Sequence, residues 1–165
     1  MIDIDPGTAK ALWQYCASRQ PEEACGALLG IGIQPLDRPN SHQPLQATIT
    51  GFCPITNRSP EPTASFQFDA REWVELFMKH HRLSGAMGLT TAALIGTFHS
   101  HPTGTATPSW RDLESASILQ SELPLHLILA LQPHDWFAYR LNKNHSTASG
   151  GEWFNDLNIR ISPPA

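Results

Sequence analysis

The chain has 165 residues, 41% of them hydrophobic and 16% charged, with a formal net charge of -4. That length and composition point to one globular domain, 1–165, and exclude a disordered chain. An acidic balance without any run of Lys or Arg argues against a nucleic-acid partner, and no segment approaches the roughly 20 apolar residues of a membrane span. The first residues, "MIDIDPGTAKALWQY", have neither the basic start nor the apolar run of a secretory signal. A first helix is predicted over 6–19: Asp5 can cap it, Pro6 suits its first position, and Ala9, Leu12, Trp13 and Cys16 repeat at helical spacing. "ACGALLGIG" (24–32) reads as a buried strand in which Cys25 and Gly26 are packing residues. A Pro-rich loop (34–44) follows, then a strand over 45–57. Residues 58–64 break that strand and lead into a short one, "SFQF".

Asp69 opens a second helix with Glu72 three residues on, as in a capping box, and Trp73, Val74, Phe77 and Met78 form its apolar face. After a flexible "LSGAMGLT", an apolar strand (91–98) ends at a pair of histidines. A third helix runs from Ser109 to about Glu122, and strands at 125–132 and 136–142 flank a turn at "PHD". A loop (144–151) precedes "EWFNDLNIRI", a closing strand or short helix. Helices falling between groups of strands predict an α/β fold with a mixed sheet. Cys16, Cys25 and Cys53 are odd in number and lack C-x-x-C spacing. Reduced, mostly buried thiols and a cytoplasmic location are the expectation.

The chemistry concentrates in "GTFHSHPTGTATPSWRDLESA", residues 96–116. Residues two apart on a strand share a face, so His99 and His101 can aim both rings at one point while Ser100 turns away. Pro102 ends the pairing and a Thr/Gly-rich loop returns the chain to Ser109, which begins the third helix. Asp112 lies in that helix's first turn. The Ser109-x-x-Asp112 pattern makes an N-terminal cap, and the same geometry can present the carboxylate to the strand end. Two imidazoles and one carboxylate form a three-ligand set suited to zinc, with a fourth position left for water. Hydrolysis also needs a proton acceptor outside the ligand set. The candidates are Glu22 and Glu23 in "PEEACGALLG", and spacing alone does not choose between them.

"EACGALLG" followed by "FHSHPTGTATPSWRD" resembles the signature of the JAMM/MPN+ zinc metalloproteases, the JAB domains, in their compact bacterial form. That signature is a Glu, then His-Ser/Thr-His-Pro, a seven-residue interval to a Ser, and an Asp three further on. Residues Pro102 to Pro108 supply the interval here. The family's Glu stands two residues before the Cys-Gly of its first core strand, which selects Glu23. The resemblance implies a mixed sheet flanked by helices, of cytidine-deaminase-like layout, and zinc held by His99, His101 and Asp112. Glu23 would orient the zinc-bound water, take its proton and deliver it to the leaving amine; Ser109 would donate a hydrogen bond to the oxyanion. The implied substrate is a ubiquitin-like or sulfur-carrier protein, cut after its C-terminal Gly-Gly, with matching activating or conjugating enzymes as further partners. Residues 57–66 are the candidate wall of the groove for its tail. The alternative is a non-catalytic MPN-type scaffold that binds such a partner.

Overall fold

A computed structural model describes residues 1–31, 46–86, 93–119, 123–141 and 154–161. Among the described residues, eight strands and three helices follow in the order β1 (Ile2–Ile4), α1 (Pro6–Ser18), β2 (Cys25–Ile31), β3 (Ala47–Ile55), α2 (Ala70–Ala86), β4 (Ala93–His101), α3 (Trp110–Leu119), β5 (Leu125–Ala130), β6 (Asp135–Leu141), β7 (Phe154–Leu157) and β8 (Ile159–Ile161). The strands form one sheet in the order β7-β6-β5-β4-β2-β3-β1-β8. It is mixed: β4 runs parallel to β5, and β1 parallel to β3 and β8, while the other neighbours are antiparallel. The α/β class expected from the alternation of elements is the one observed.

β7 and β8 lie at opposite ends of the strand order, yet only Asn158 separates them in the chain. The sheet therefore curls until both of its ends meet one segment, and the Ile2 amide donates to the Asn158 carbonyl at 2.7 Å. The single closing element expected over 152–161 is thus two short strands with different partners. The N-terminal strand β1 was not expected; its Ile2 and Ile4 side chains are fully buried.

Period-two alternation sorts the core onto two faces. On β5, Leu125, Leu127 and Leu129 join Leu12 and Cys16 of α1 in the larger cluster. Ile128 and Ala130 point the other way and pack with Leu113 and Ala116 of α3. α1 and α3 consequently cover opposite faces of the central strands. α1 starts as predicted, with the Asp5 carboxylate accepting from the Thr8 amide at 2.9 Å and Pro6 in the first turn.

Asp69 caps α2 by accepting from the Arg71 and Glu72 amides at 3.0 and 3.1 Å. The expected capping box does not form, because the Glu72 carboxylate accepts instead from the Thr56 amide and hydroxyl, at 2.7 and 2.8 Å. α2 continues through "LSGA" to Ala86, and Val74 and Met78 on it are exposed, so its inner face is carried by the half-buried Trp73 and Phe77. "SFQF" is not a strand either. Phe68 makes one isolated bridge to Asn57, and the Asn57 side chain takes the hydrogen bonds a ladder would have used. The predicted loops at 34–44 and 144–151, and the end of the third helix near Glu122, lie outside the described residues. No helix among the described residues is long and apolar enough to cross a membrane.

Candidate metal centre

β4 carries His99 and His101 at its C-terminal end, on the face that α3 covers. Phe98 and Ser100 point to the α1 side, where Phe98 joins the main core. His99 is buried and its ring stacks on Phe66 at 4.5 Å and 26°. The Nδ1–H of His101 donates to the Thr105 carbonyl at 2.7 Å. A carbonyl only accepts, so this bond fixes the tautomer and leaves the His101 Nε2 lone pair free for a metal.

Asp112 arrives from the first turn of α3. Ser109 and Asp112 cap reciprocally: the Ser109 amide donates to Asp112 Oδ2 at 2.6 Å, and the Asp112 amide donates to Ser109 Oγ at 3.3 Å. The hydrophobic contacts of Leu113 and Ala116 anchor this turn against β5 and β6. The three donor groups converge. His99 Nε2 lies 3.1 Å from His101 Nε2 and 3.2 Å from Asp112 Oδ1, and His101 Nε2 lies 3.4 Å from Asp112 Oδ2. The group can hold a metal ion. Burial works to raise the Asp112 pKa, but the electrostatic influence of His99 and the adjoining polar groups of His101, His99 and Ser109 outweigh it. The carboxyl is held well below the usual carboxylate range and stays ionised.

Glu23 reaches the same place through the β2–β4 ladder. Cys25 pairs with His99, and one step further the Ser100 amide donates to the Ala24 carbonyl while the Ala24 amide donates to Ser100 Oγ, both at 2.9 Å. This two-way bond sets the residue before Ala24 beside the histidine pair. Glu23 is 7% exposed, whereas the Glu22 side chain is 43% exposed and pairs with Arg19 at 3.4 Å. Spacing left these two open; the structure brings only Glu23 to the cluster. Burial pushes its pKa up, opposed by His99 and His101 and reinforced by Asp112. Glu23 Oε2 is buried with no hydrogen-bond partner among the described residues.

Asn57 was not singled out in the sequence, yet it ties this region together. Its Nδ2 donates to the carbonyls of Glu23 (3.0 Å) and Ser65 (3.1 Å), and its Oδ1 accepts from the amides of Ser59 (2.9 Å) and Gln67 (3.0 Å). Residues 57–66 border the site through further bonds: the Glu23 amide donates to the Pro62 carbonyl at 2.7 Å, and Glu61 pairs with Arg111 of α3 at 3.0 Å. Burial pushes the Cys25 thiol up to about 12, so it is protonated and no nucleophile, in keeping with a packing role.

The family of prokaryotic homologs of the JAB domain matches residues 6–142. The chain belongs to this family. A solved relative in fold is a protein of Desulfitobacterium hafniense determined in solution, 22% identical, with a TM-score of 0.68 over 99% of this chain and 94% of that one. No curated protein matches the sequence. The JAB domain here thus combines the family's fold with a His-His-Asp group, in which His99 and Asp112 are buried and His101 half-buried, and a buried Glu that interacts with it electrostatically. A metal-assisted hydrolase and an MPN-type scaffold are the two activities such a site accommodates.

Proposed function

We propose that this JAB domain is a zinc-dependent peptidase or isopeptidase that hydrolyses the amide bond after the C-terminal Gly-Gly of a ubiquitin-like or sulfur-carrier protein. The observation that carries the reading is the buried Glu23 carboxylate, whose Oε2 has no hydrogen-bond partner among the described residues and which interacts electrostatically with all three members of the ligand group. Zinc suits the donor set. Tetrahedral bonds of roughly 2.0–2.1 Å place ligand atoms about 3.3 Å apart, and the observed separations are 3.1, 3.2 and 3.4 Å. Bound zinc supplies a Lewis acid and lowers the pKa of a water towards about 7.

The chain's own groups do the rest. Glu23, with its pKa raised, is suited to accept a proton from the attacking water and pass it to the amine as the C–N bond breaks. Ser109 Oγ already accepts the Asp112 amide, which leaves its hydroxyl proton to donate to the scissile carbonyl oxygen as charge builds there. The segment 57–66 is suited to flank the extended tail of the carrier. Free thiols at Cys16, Cys25 and Cys53 are consistent with action in the reducing cytoplasm.

The test incubates the zinc-loaded protein with a Gly-Gly carrier bearing a C-terminal extension and follows the masses. The expected result is release of the extension, abolished by a chelator and by Glu23→Gln, with zinc still bound in that variant. Cleavage that survives both treatments overturns the mechanism. Tight carrier binding by a preparation that neither retains zinc nor cleaves would instead establish the scaffold.

A further inference from the structure

A cleft of about 440 Å³ opens beside His99 and Asp112. Its aromatic wall is Phe66, Phe68 and Trp73, in which the last two rings stack at 5.1 Å and 5°. α3 contributes Ala116 and Ile118. Set into this carbon-rich lining is His126, only 3% exposed. Its Nδ1 lies 2.9 Å from Thr97 Oγ1, and its Nε2 is buried without a hydrogen-bond partner among the described residues.

Counting protons assigns the tautomer. The Thr97 hydroxyl is buried and has no second partner among the described residues. If the ring donated from Nδ1, the hydroxyl proton and Nε2 would both be stranded. With Thr97 donating to Nδ1, only the Nε2–H is left over. Burial, with a smaller effect from His99, holds the ring's pKa down to about 3, so it is neutral and a single donor. A buried donor without an acceptor is destabilising, and a mostly apolar cleft with a few polar groups set into it, here His126 with Gln67, Thr97 and Ser115 beside the metal ligands, is the usual form of a selective ligand site.

We propose that this cleft is a subsite for an aromatic group bearing a hydrogen-bond acceptor, the ring lying along the Phe66–Trp73 wall and the acceptor meeting His126 Nε2–H. Among protein side chains tyrosine has this chemistry. Because the cleft adjoins His99 and Asp112, it receives the substrate side chain flanking the scissile bond; that last step rests on the hydrolase reading above. Since the residues before the scissile bond are glycines, His126 is then a specificity residue for the leaving group, separate from the proton transfer at Glu23.

The probes are acetophenone and its near-isostere cumene, which lacks the acceptor, titrated into zinc-loaded protein carrying ¹⁵N-histidine. Acetophenone is expected to bind about tenfold more tightly, the worth of roughly one hydrogen bond. His126→Leu should bring the two affinities together while cumene still binds. Equal affinities in the wild type, a preference that survives His126→Leu, or binding of neither probe overturns the proposal. Should that variant fail to fold, the wild-type spectrum decides. A proton on Nε2 whose nitrogen shift moves with acetophenone alone supports the site, and a proton on Nδ1 refutes it. Neither probe contains an amide. A protein that discriminates as expected but cleaves no Gly-Gly carrier therefore loses the peptidase reading and keeps the pocket; an active peptidase blind to the acceptor does the reverse.

Discussion

His126 should leave a signature in the pH dependence of stability. The ring has an ordinary pKa of 6.5 in the unfolded chain and about 3 in the fold, where burial is the main cause. A base whose folded pKa is depressed costs stability as the pH falls. Above pH 6.5 both states are neutral and the ring contributes nothing. Below it the unfolded chain binds a proton that the folded chain refuses until about pH 3, so stability falls as pH falls through that window. At about 1.36 kcal/mol per pH unit, the loss between pH 7.5 and 5.0 is about 2 kcal/mol. Urea unfolding of the wild type and His126→Leu across this range, both in chelator, isolates the effect. The metal ligands titrate in both proteins, and the lost Thr97 hydrogen bond is an offset that does not vary with pH. The difference between the two stabilities should change by about 2 kcal/mol in favour of the variant on going from pH 7.5 to 5.0. Parallel curves would refute the claim that His126 is neutral and desolvated in the fold.

Asn57→Ala removes the amide that joins Glu23 to the 57–68 segment through four hydrogen bonds. The variant should keep its zinc but lose about tenfold or more in kcat, as expected when a reacting group is misplaced by ~1 Å. Loosening the segment also hydrates Glu23, whose raised pKa comes first from burial, so the acid limb of the pH–rate profile should move to lower pH. An unmoved limb would reduce Asn57 to a structural part. Gly26→Ala tests the close approach of β2 and β3. A Cβ there would sit 2.3 Å from the Cys53 carbonyl oxygen and 2.6 Å from the Phe98 ring. Overpacking of this kind costs about 1–3 kcal/mol, or roughly 2–4 °C in Tm per kcal/mol for a chain of this size, and an unchanged melting curve would contradict the geometry.

What the sequence disclosed depended on how far apart the interacting parts lie. α1 was legible because its cap, its proline and its apolar repeat are all within one segment, and the histidine pair because alternation on a strand is a two-residue rule. β1 escaped notice because three residues, Ile-Asp-Ile, carry too little pattern to stand above chance. "SFQF" alternates like a strand but was claimed by the Asn57 amide from ten residues away. The β7–β8 split follows from the curl of the whole sheet, which no local window contains. The site divides in the same way. Ser109 and Asp112 advertise themselves through a cap that doubles as a ligand turn. Phe66 on His99, Thr105 behind His101 and Asn57 behind Glu23 gave no signal, since each acts through a backbone group or a ring face. Glu23 itself differs from Glu22 only in what its neighbour does: Ala24 exchanges two hydrogen bonds with Ser100, the residue between the histidines. The serine that turns away from the metal centre is therefore what brings the carboxylate to it, and this relation belongs to the strand pair and to neither strand alone.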